Sequence, residues 1–406
     1  MNETPIASRK HISIFGKTNS GKSSLLNAII GQDISIVSSV EGTTTDPVRK
    51  TMELIPYGPV VFTDTAGLDD TSQLGELRLD RTMKTLHSTD FAIYVMDIND
   101  PDQNTYKYAL KQFSKYNIPY MTVINKIDTA SKEKLERLES VCSNALFVSA
   151  DKGTNILRLK DELIKRLKED EPEETIVGDL VPYNGRVVMV VPVDFEAPKG
   201  RIILPQVQLI RDCLDHGIKS YVVRDSELES ALSDMSGPDL VVTDSQAFKN
   251  VSRIVPRDIK LTSFSILFAR YKGDLGTLVN GAMKVEELKD GDMVLISEAC
   301  THNYSHEDIG RVKIPMLLNK YTGKKIRYDF KMGSDFPENI EEYALVIHCG
   351  ACMLNRKAMQ TRIDMCTEKN VKITNYGVLL AYLNKILPRC LEIFKSTEKD
   401  SASSME

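Results

Sequence analysis

Between a β-rich run, HISIF (His11–Phe15), and a helical run, SLLNAII (Ser24–Ile30), the chain carries the octapeptide GKTNSGKS, Gly16–Ser23. It fits the pattern G-x-x-x-x-G-K-[ST] in the strand-then-helix setting that the pattern requires. No other segment narrows the fold so far. Its glycines let backbone N–H groups wrap phosphate oxygens at a helix N-terminus, a lysine reaches the outer phosphates, and a serine hydroxyl can enter the shell of a Mg2+ ion. The candidate contacts are Gly16, Asn19, Ser20, Gly21, Lys22, Ser23 and Ser24, with Lys22 supplying the charge on which phosphoryl chemistry depends.

From His11 to about Lys168 further β-rich runs (VVFTDTAG, FAIYVMD, YMTVINK, ALFVSA) alternate with longer helical ones, which predicts a parallel sheet with helices on both faces. The acidic stretch KEDEPEET, Lys168–Thr175, reads as a linker. A smaller α/β unit without a phosphate loop follows, from GRVVMVVPVDF to IKLTSFS, and then a third α/β unit. The expected domains are 8–170, 178–264 and 265–406. A chain of 406 residues is long enough for two or three cores. No internal repeat of fixed period is apparent, and only the last few residues, STEKDSASSME, are expected to be disordered.

Three more motifs follow strands in order. In DTAG, the Asp64 carboxylate can hold Mg2+ through water and the Gly67 N–H can sense a γ-phosphate. In NKID, Asn125, Lys126 and Asp128 meet the base, and a carboxylate accepting from two N–H groups selects guanine over adenine. Ser149 and Ala150 complete that pocket, so the expected nucleotide is GTP. The net charge of -5 provides no overall field for nucleic acid. No apolar run approaches the ~20 residues of a membrane span, and the start lacks a secretory leader, so a cytoplasmic protein with reduced cysteines is expected.

The motif set resembles the TrmE and Era group of GTPases over Ser8 to about Lys168. The resemblance implies that GTTTD, Gly42–Asp46, is the first switch, with Thr44 closing on Mg2+. It implies that Asn19 helps to bind a K+ ion in place of an arginine finger. Glu76 falls where the group carries a catalytic glutamate, although a solvated helix face explains that acid equally well. Leu68 stands where Ras-like enzymes carry the glutamine that orients water, so water must be oriented differently here.

Seven cysteines are spread unevenly. Cys349 and Cys352 sit in VIHCGACMLN, Cys300 opens CTHNYSHED, and His302, His306, Glu307 and His348 lie beside these three thiols. Cys142, Cys213, Cys366 and Cys390 stand alone and read as ordinary buried thiols. On spacing alone the three grouped thiols fit a structural zinc or an iron–sulfur cluster. Together, GTTTDP, DTAGLDD, APKGRIILPQVQ and HCGAC resemble the HydF family of FeFe-hydrogenase maturation GTPases over essentially the whole chain. That resemblance implies a 4Fe-4S cluster on Cys300, Cys349 and Cys352, with a fourth, replaceable ligand. It also implies a middle domain that forms a homodimer, radical-SAM maturases as sources of a diiron precursor, and the FeFe-hydrogenase apoprotein as its recipient. A tRNA-modification or ribosome-assembly GTPase with structural zinc is the competing expectation. The acidic pI near 5.8 and the lack of a basic, aromatic-interleaved stretch in the C-terminal half weigh against it. An oxidoreductase would need a flavin or nicotinamide signature, and none is found.

Overall fold

The computed structural model describes residues 4–31, 39–40, 48–69, 75–142, 144–169, 175–192, 202–235, 237–245, 247–299, 308–333 and 335–395. It divides into two compact units, Met1–Pro172 and Glu173–Glu406.

The first unit runs β1 (Lys10–Gly16), α1 (Lys22–Ile30), β2 (Ser39–Val40), β3 (Val48–Leu54), β4 (Gly58–Asp64), α2 (Gly75–Leu86), β5 (Phe91–Asp97), α3 (Gln103–Lys115), β6 (Tyr120–Asn125), α4 (Lys132–Val141), β7 (Ala145–Phe147) and α5 (Ile156–Glu169). Its seven strands are ordered β2-β3-β4-β1-β5-β6-β7. β4, β1, β5, β6 and β7 pair in parallel, and their burial on both faces matches their continuous apolar sequences. The expected all-parallel sheet is mixed at one edge. β3 and β4 are antiparallel because Ile55–Tyr57 makes a tight turn, with Tyr57 N–H donating to Leu54 O, and so short a link cannot cross over. Among the described residues no helix is long and apolar enough to cross a membrane.

The second unit holds two four-stranded parallel sheets. The first is built from β8 (Arg186–Val190), α6 (Leu204–Asp215), β9 (Lys219–Val223), α7 (Leu228–Ser233), β10 (Leu240–Thr243), α8 (Phe248–Ile254), β11 (Lys260–Ser263) and α9 (Phe264–Lys272). After α10 (Leu275–Met283) comes the second: β12 (Met293–Glu298), α11 (Ile314–Thr322), β13 (Arg327–Met332), β14 (Leu345–His348), α12 (Arg356–Glu368), β15 (Ile373–Asn375), α13 (Tyr376–Leu383) and α14 (Leu387–Cys390). The helical stretch after Ser263 breaks at Gly273, where Asp274 caps a new helix by accepting from Thr277 N–H.

Both sheets have the same order, β9-β8-β10-β11 and β13-β12-β14-β15. The last strand and helix of each also correspond in sequence: Lys260-Leu261-Thr262-Ser263-Phe264 against Lys372-Ile373-Thr374-Asn375-Tyr376. Ser263 and Asn375 cap their helices alike, accepting from Ile266 and Val378 N–H. The two halves therefore share one strand order and one way of passing from the last strand into its helix. They meet at corresponding positions, since a Cβ on Gly377 of α13 would collide with Ser265 of α9. Alternation of side chains divides the packing by face. Val188, Val190 and Val241 join Leu295, Val346 and Ile373 in one core shared by both sheets, whereas Val187, Met189, Leu240 and Val242 face a separate core.

If this crossing is as tight as its geometry, Gly377→Ala lowers stability by about 1–3 kcal/mol. Ser265→Gly in the same chain restores most of the loss. Chemical denaturation of the two variants checks this, and a neutral Gly377→Ala would contradict it.

Candidate functional site

The first constellation gathers at the carboxyl ends of β1, β4, β5 and β6. The phosphate loop needs its special backbone: Asn19 and Gly21 have positive φ of 62° and 91°, and a Cβ on Gly21 would collide with the Asn125 side-chain amide. Lys22 is buried and donates to the carbonyls of Lys17 (2.8 Å) and Gly16 (3.2 Å). Burial pulls its pKa below the usual lysine value, against the raising effect of Asp64 and Asp69. Ser23 Oγ donates to Asp64 Oδ2 at 2.5 Å. Burial pushes the Asp64 carboxyl above the ordinary carboxylate range, opposed by that hydrogen bond and by Lys22. Its second oxygen, Oδ1, is buried with no hydrogen-bond partner. A hydroxyl beside an unpartnered carboxylate oxygen is a fitting donor set for a hard cation such as Mg2+, held directly or through water.

Gly67 lies against the loop, where a Cβ would press on Thr18. The Thr18 N–H donates to Asp69 Oδ1 at 2.6 Å, and Leu68 N–H donates to Gly16 O at 3.2 Å. The Leu68 side chain packs against the apolar core beside α3, so this position turns away from any reacting water. At the base pocket Asn125 is a buried latch: its Nδ2 donates to Ser20 O and its Oδ1 accepts from Ala150 N–H at 3.0 Å. Asp128 is exposed and accepts from Ser149 Oγ at 2.5 Å. Lys126 spans Asn19 O (2.6 Å) and Asp97 Oδ2 (2.7 Å). Ser24 is exposed on the first turn of α1. Thr44 lies outside the described residues, as does the Glu76 side chain, whose backbone is in α2. Asp69 and Asp97 were missed in the sequence, though an acid at the end of an apolar strand, as in FAIYVMD, was the available signal.

The second constellation lies in the second unit, where β12 and β14 are neighbours although β13 intervenes in sequence. Such a reversal opens a crevice at the carboxyl ends of the two strands. Cys349 directly follows β14; its N–H donates to Ser297 O at 2.8 Å, and its Sγ accepts from Ala299 N–H at 3.0 Å. Cys352 follows one left-handed residue, Ala351, at φ 53°. Cys300, His302, His306 and Glu307 lie outside the described residues. His348 is fully buried, with Nδ1 donating to Cys349 O (2.8 Å) and Nε2 accepting from Arg362 Nη1 (2.6 Å). A carbonyl only accepts and a guanidinium only donates, so the tautomer is determined and both nitrogens are engaged. Burial, reinforced by Arg362, lowers the His348 pKa to about 3 against the hydrogen bond to Cys349. In this arrangement His348 buttresses the thiol loop, and neither nitrogen is free for a metal. Cys213, Cys366 and Cys390 are buried thiols with pKa pushed up to about 12.

Two cations nearby were illegible in the sequence. Lys272, at the end of α9, is 2% exposed and donates to Ala351 O (3.0 Å), Cys352 O (3.4 Å) and Leu354 O (2.8 Å). Arg362 is 6% exposed; besides His348 it donates to Ser297 Oγ and Gly333 O and lies over the Phe336 ring. Burial lowers the Lys272 pKa to about 8, against the two thiols, and that of Arg362 to about 10. Neither has a carboxylate partner among the described residues. The buried Glu298 accepts from Tyr376 and faces Arg311 instead. Two thiols over uncompensated buried positive charge are a fitting seat for a metal bound through anionic sulfur.

Residues 11–126 match a model described as a 50S ribosome-binding GTPase, so the first unit carries a GTPase domain. Residues 176–273 match the hydrogen maturase F dimerization domain and residues 276–393 its tetramerization domain. The chain is 36% identical over 238 residues to GTPase Der of Wolinella succinogenes, covering 52% of this chain and 50% of that protein. It is 36% identical over 164 residues to the tRNA modification GTPase MnmE of Legionella pneumophila, covering 40% and 35%. The chain thus spans about half or less of the length of these two relatives. A solved structure of Era from Aquifex aeolicus matches at 18% identity and a TM-score of 0.33, covering 82% of this chain and 97% of that one.

A carboxyl held above its ordinary pKa by burial destabilises the fold at neutral pH, a penalty that fades as pH falls through that raised value. Asp64→Asn is therefore expected to raise the unfolding midpoint of the nucleotide-free protein by about 1–3 °C while abolishing the Mg2+ dependence of GTP binding. Calorimetry with and without Mg2+ checks this; a lower midpoint would contradict the assigned role of burial.

Proposed function

The chain belongs to the hydrogen maturase F family, and on that premise we propose that it is a GTP-hydrolysing carrier in FeFe-hydrogenase maturation. It holds a 4Fe-4S cluster on Cys300, Cys349 and Cys352, receives a diiron precursor made with radical-SAM maturases, and passes it to the apo-hydrogenase. The observation that carries this reading is the Ala299 N–H on Cys349 Sγ. That contact lies at the crevice where a ligand is received, and Cys300 is the residue that follows Ala299 in the sequence. With cysteine on three corners, the cluster would offer a remaining iron to which an incoming unit can attach. His302, His306 and Glu307 are the proposed replaceable donors for that corner.

In the GTPase domain, Lys22 supplies positive charge to the outer phosphates, and Ser23 with Asp64 would hold Mg2+, with Thr44 closing on the same ion. Asn125 ties the base pocket to the phosphate loop, and Asp128 accepts from the guanine edge. Gly67, against Thr18, is the backbone group that responds to the γ-phosphate. With Leu68 packed in the core, water is oriented by other means; Glu76 and a K+ ion near Asn19 are the proposed substitutes. We take the GTPase domain as 8–170 and the two that follow as the matched segments 176–273 and 276–393, in place of the expected 178–264 and 265–406, so that α9 stays with the first sheet of the second unit. Self-association is intrinsic to a chain with dimerization and tetramerization domains. The proposed dimer contact is β9, an edge strand that exposes Tyr221 and Val222 next to α6, which exposes Val207 and Leu214. We assign the protein to the cytoplasm, with no nucleic-acid or membrane partner.

Alanine at Cys300, Cys349 or Cys352 should abolish iron and sulfide retention after anaerobic reconstitution. Alanine at His302, His306 or Glu307 should leave iron bound but alter the EPR signal, and Cys366→Ala should leave the cluster unchanged. A single histidine as indispensable to metal retention as the cysteines would instead indicate a closed zinc site and overturn the carrier reading. Lys22→Ala should lose GTP binding, and hydrolysis by the wild type should be faster in KCl than in NaCl at matched ionic strength. Equal rates in the two salts would remove K+ from the mechanism.

A further inference from the structure

The loop that bears two of the thiols is held by a side chain from the helix that closes the other four-stranded sheet. Lys272 is the last residue of α9, the closing helix of the first sheet, and it falls within the segment matched by the dimerization domain. All three of its N–H donors are spent on carbonyls of a single loop, those of Ala351, Cys352 and Leu354. One of these belongs to Ala351, the left-handed alanine that turns the chain between the two cysteines, a conformation that a residue with a Cβ resists. From the other side Arg362 grips Ser297 and His348, the two residues whose backbones flank Cys349.

A helix-ending lysine would ordinarily extend to water, since its charge is expensive to bury. Here two cations are buried, with no carboxylate partner for either among the described residues; Lys272 donates to the Cys352 carbonyl, and Arg362 donates to His348, the residue before Cys349. Carbonyl oxygens satisfy their hydrogen bonds but do not neutralise them. An anionic centre on Cys349 and Cys352 would do so.

We propose that Lys272 and Arg362 form a buried cationic seat for the metal-thiolate centre, so that the dimerization domain contributes a positioning residue to the site in the neighbouring domain. Lys272 fixes the spacing of Cys349 and Cys352 and offsets the negative charge that metal-bound thiolates bring into the crevice. This rests on the reading that these thiols hold a metal, and it extends that reading to residues that never touch the metal. Outer-shell partners of this kind are worth about 10–100-fold in metal affinity. Removing a nearby positive charge also makes adding an electron to a cluster harder.

The test uses the full chain as wild type, Lys272→Met and Lys272→Gln, the last retaining N–H donors without the charge. Metal-free protein is titrated with Co2+ and followed by thiolate-to-cobalt absorption, and reconstituted protein is titrated electrochemically under EPR. Lys272→Met is expected to lose about tenfold in Co2+ affinity. Lys272→Gln is expected to keep its fold by circular dichroism and to shift the cluster midpoint to a lower potential. Unchanged Co2+ affinity in Lys272→Met, or an unchanged midpoint in Lys272→Gln, would overturn the proposal. Wild type that binds Co2+ tightly but assembles no iron–sulfur cluster would sink the cluster reading alone, leaving the Co2+ comparison of wild type with Lys272→Met to decide the role of Lys272. Wild type that binds neither would sink both.

Discussion

Parallel strands can be joined only by crossovers, and where the direction of crossing reverses, the carboxyl ends of two neighbouring strands part around a crevice. Both candidate centres depend on that constraint. In the first unit β1 lies between β4 and β5, so the phosphate loop leaving β1 meets Asp64 at the end of β4 and a loop network anchored by Asp97 at the end of β5. In the second unit β12 and β14 part in the same way, and the thiol loop leaves β14 against Ser297 and Ala299 of the neighbouring chain segment. The sheets supply the floors, and the candidate groups sit on strand ends, on the loops that leave them and on the first turn of α1.

The two centres share an electrostatic feature. Each holds charge that burial disfavours: Lys22 and the half-buried Asp64 at the phosphate loop, Lys272 and Arg362 near the thiol loop. Desolvation opposes all four charges, and backbone carbonyls or a neighbouring hydroxyl relieve only the hydrogen-bonding part of the penalty.

Legibility followed the range of the interaction. The phosphate loop, DTAG, NKID and the Ser149-Ala150 pair were readable because each motif packs its chemistry into a few consecutive residues, and the structure brings their described members together. The β3–β4 hairpin was missed because VRKTMEL, with its charges, lacks the apolar continuity of the central strands. The thiols could be recognised by type and spacing, yet the Lys272 clasp could not, since it joins residues some eighty positions apart. His348 read as a ligand from its neighbours alone, and only the fold reveals that its two nitrogens are already engaged. The common strand order of the two sheets escaped notice because loops of unequal length break any fixed period. The surviving signal, KLTSF against KITNY, is confined to a strand end and the helix cap that follows it.

The central claim is that the crevice between β12 and β14 is a docking site built on an iron–sulfur cluster. Mössbauer spectroscopy of the full chain, reconstituted anaerobically with 57Fe, tests it most directly. The account predicts the spectrum of a 4Fe-4S cluster in which one iron is distinguishable from the rest and changes when an external ligand such as imidazole is added. A protein that retains stoichiometric zinc and shows no cluster iron would contradict it.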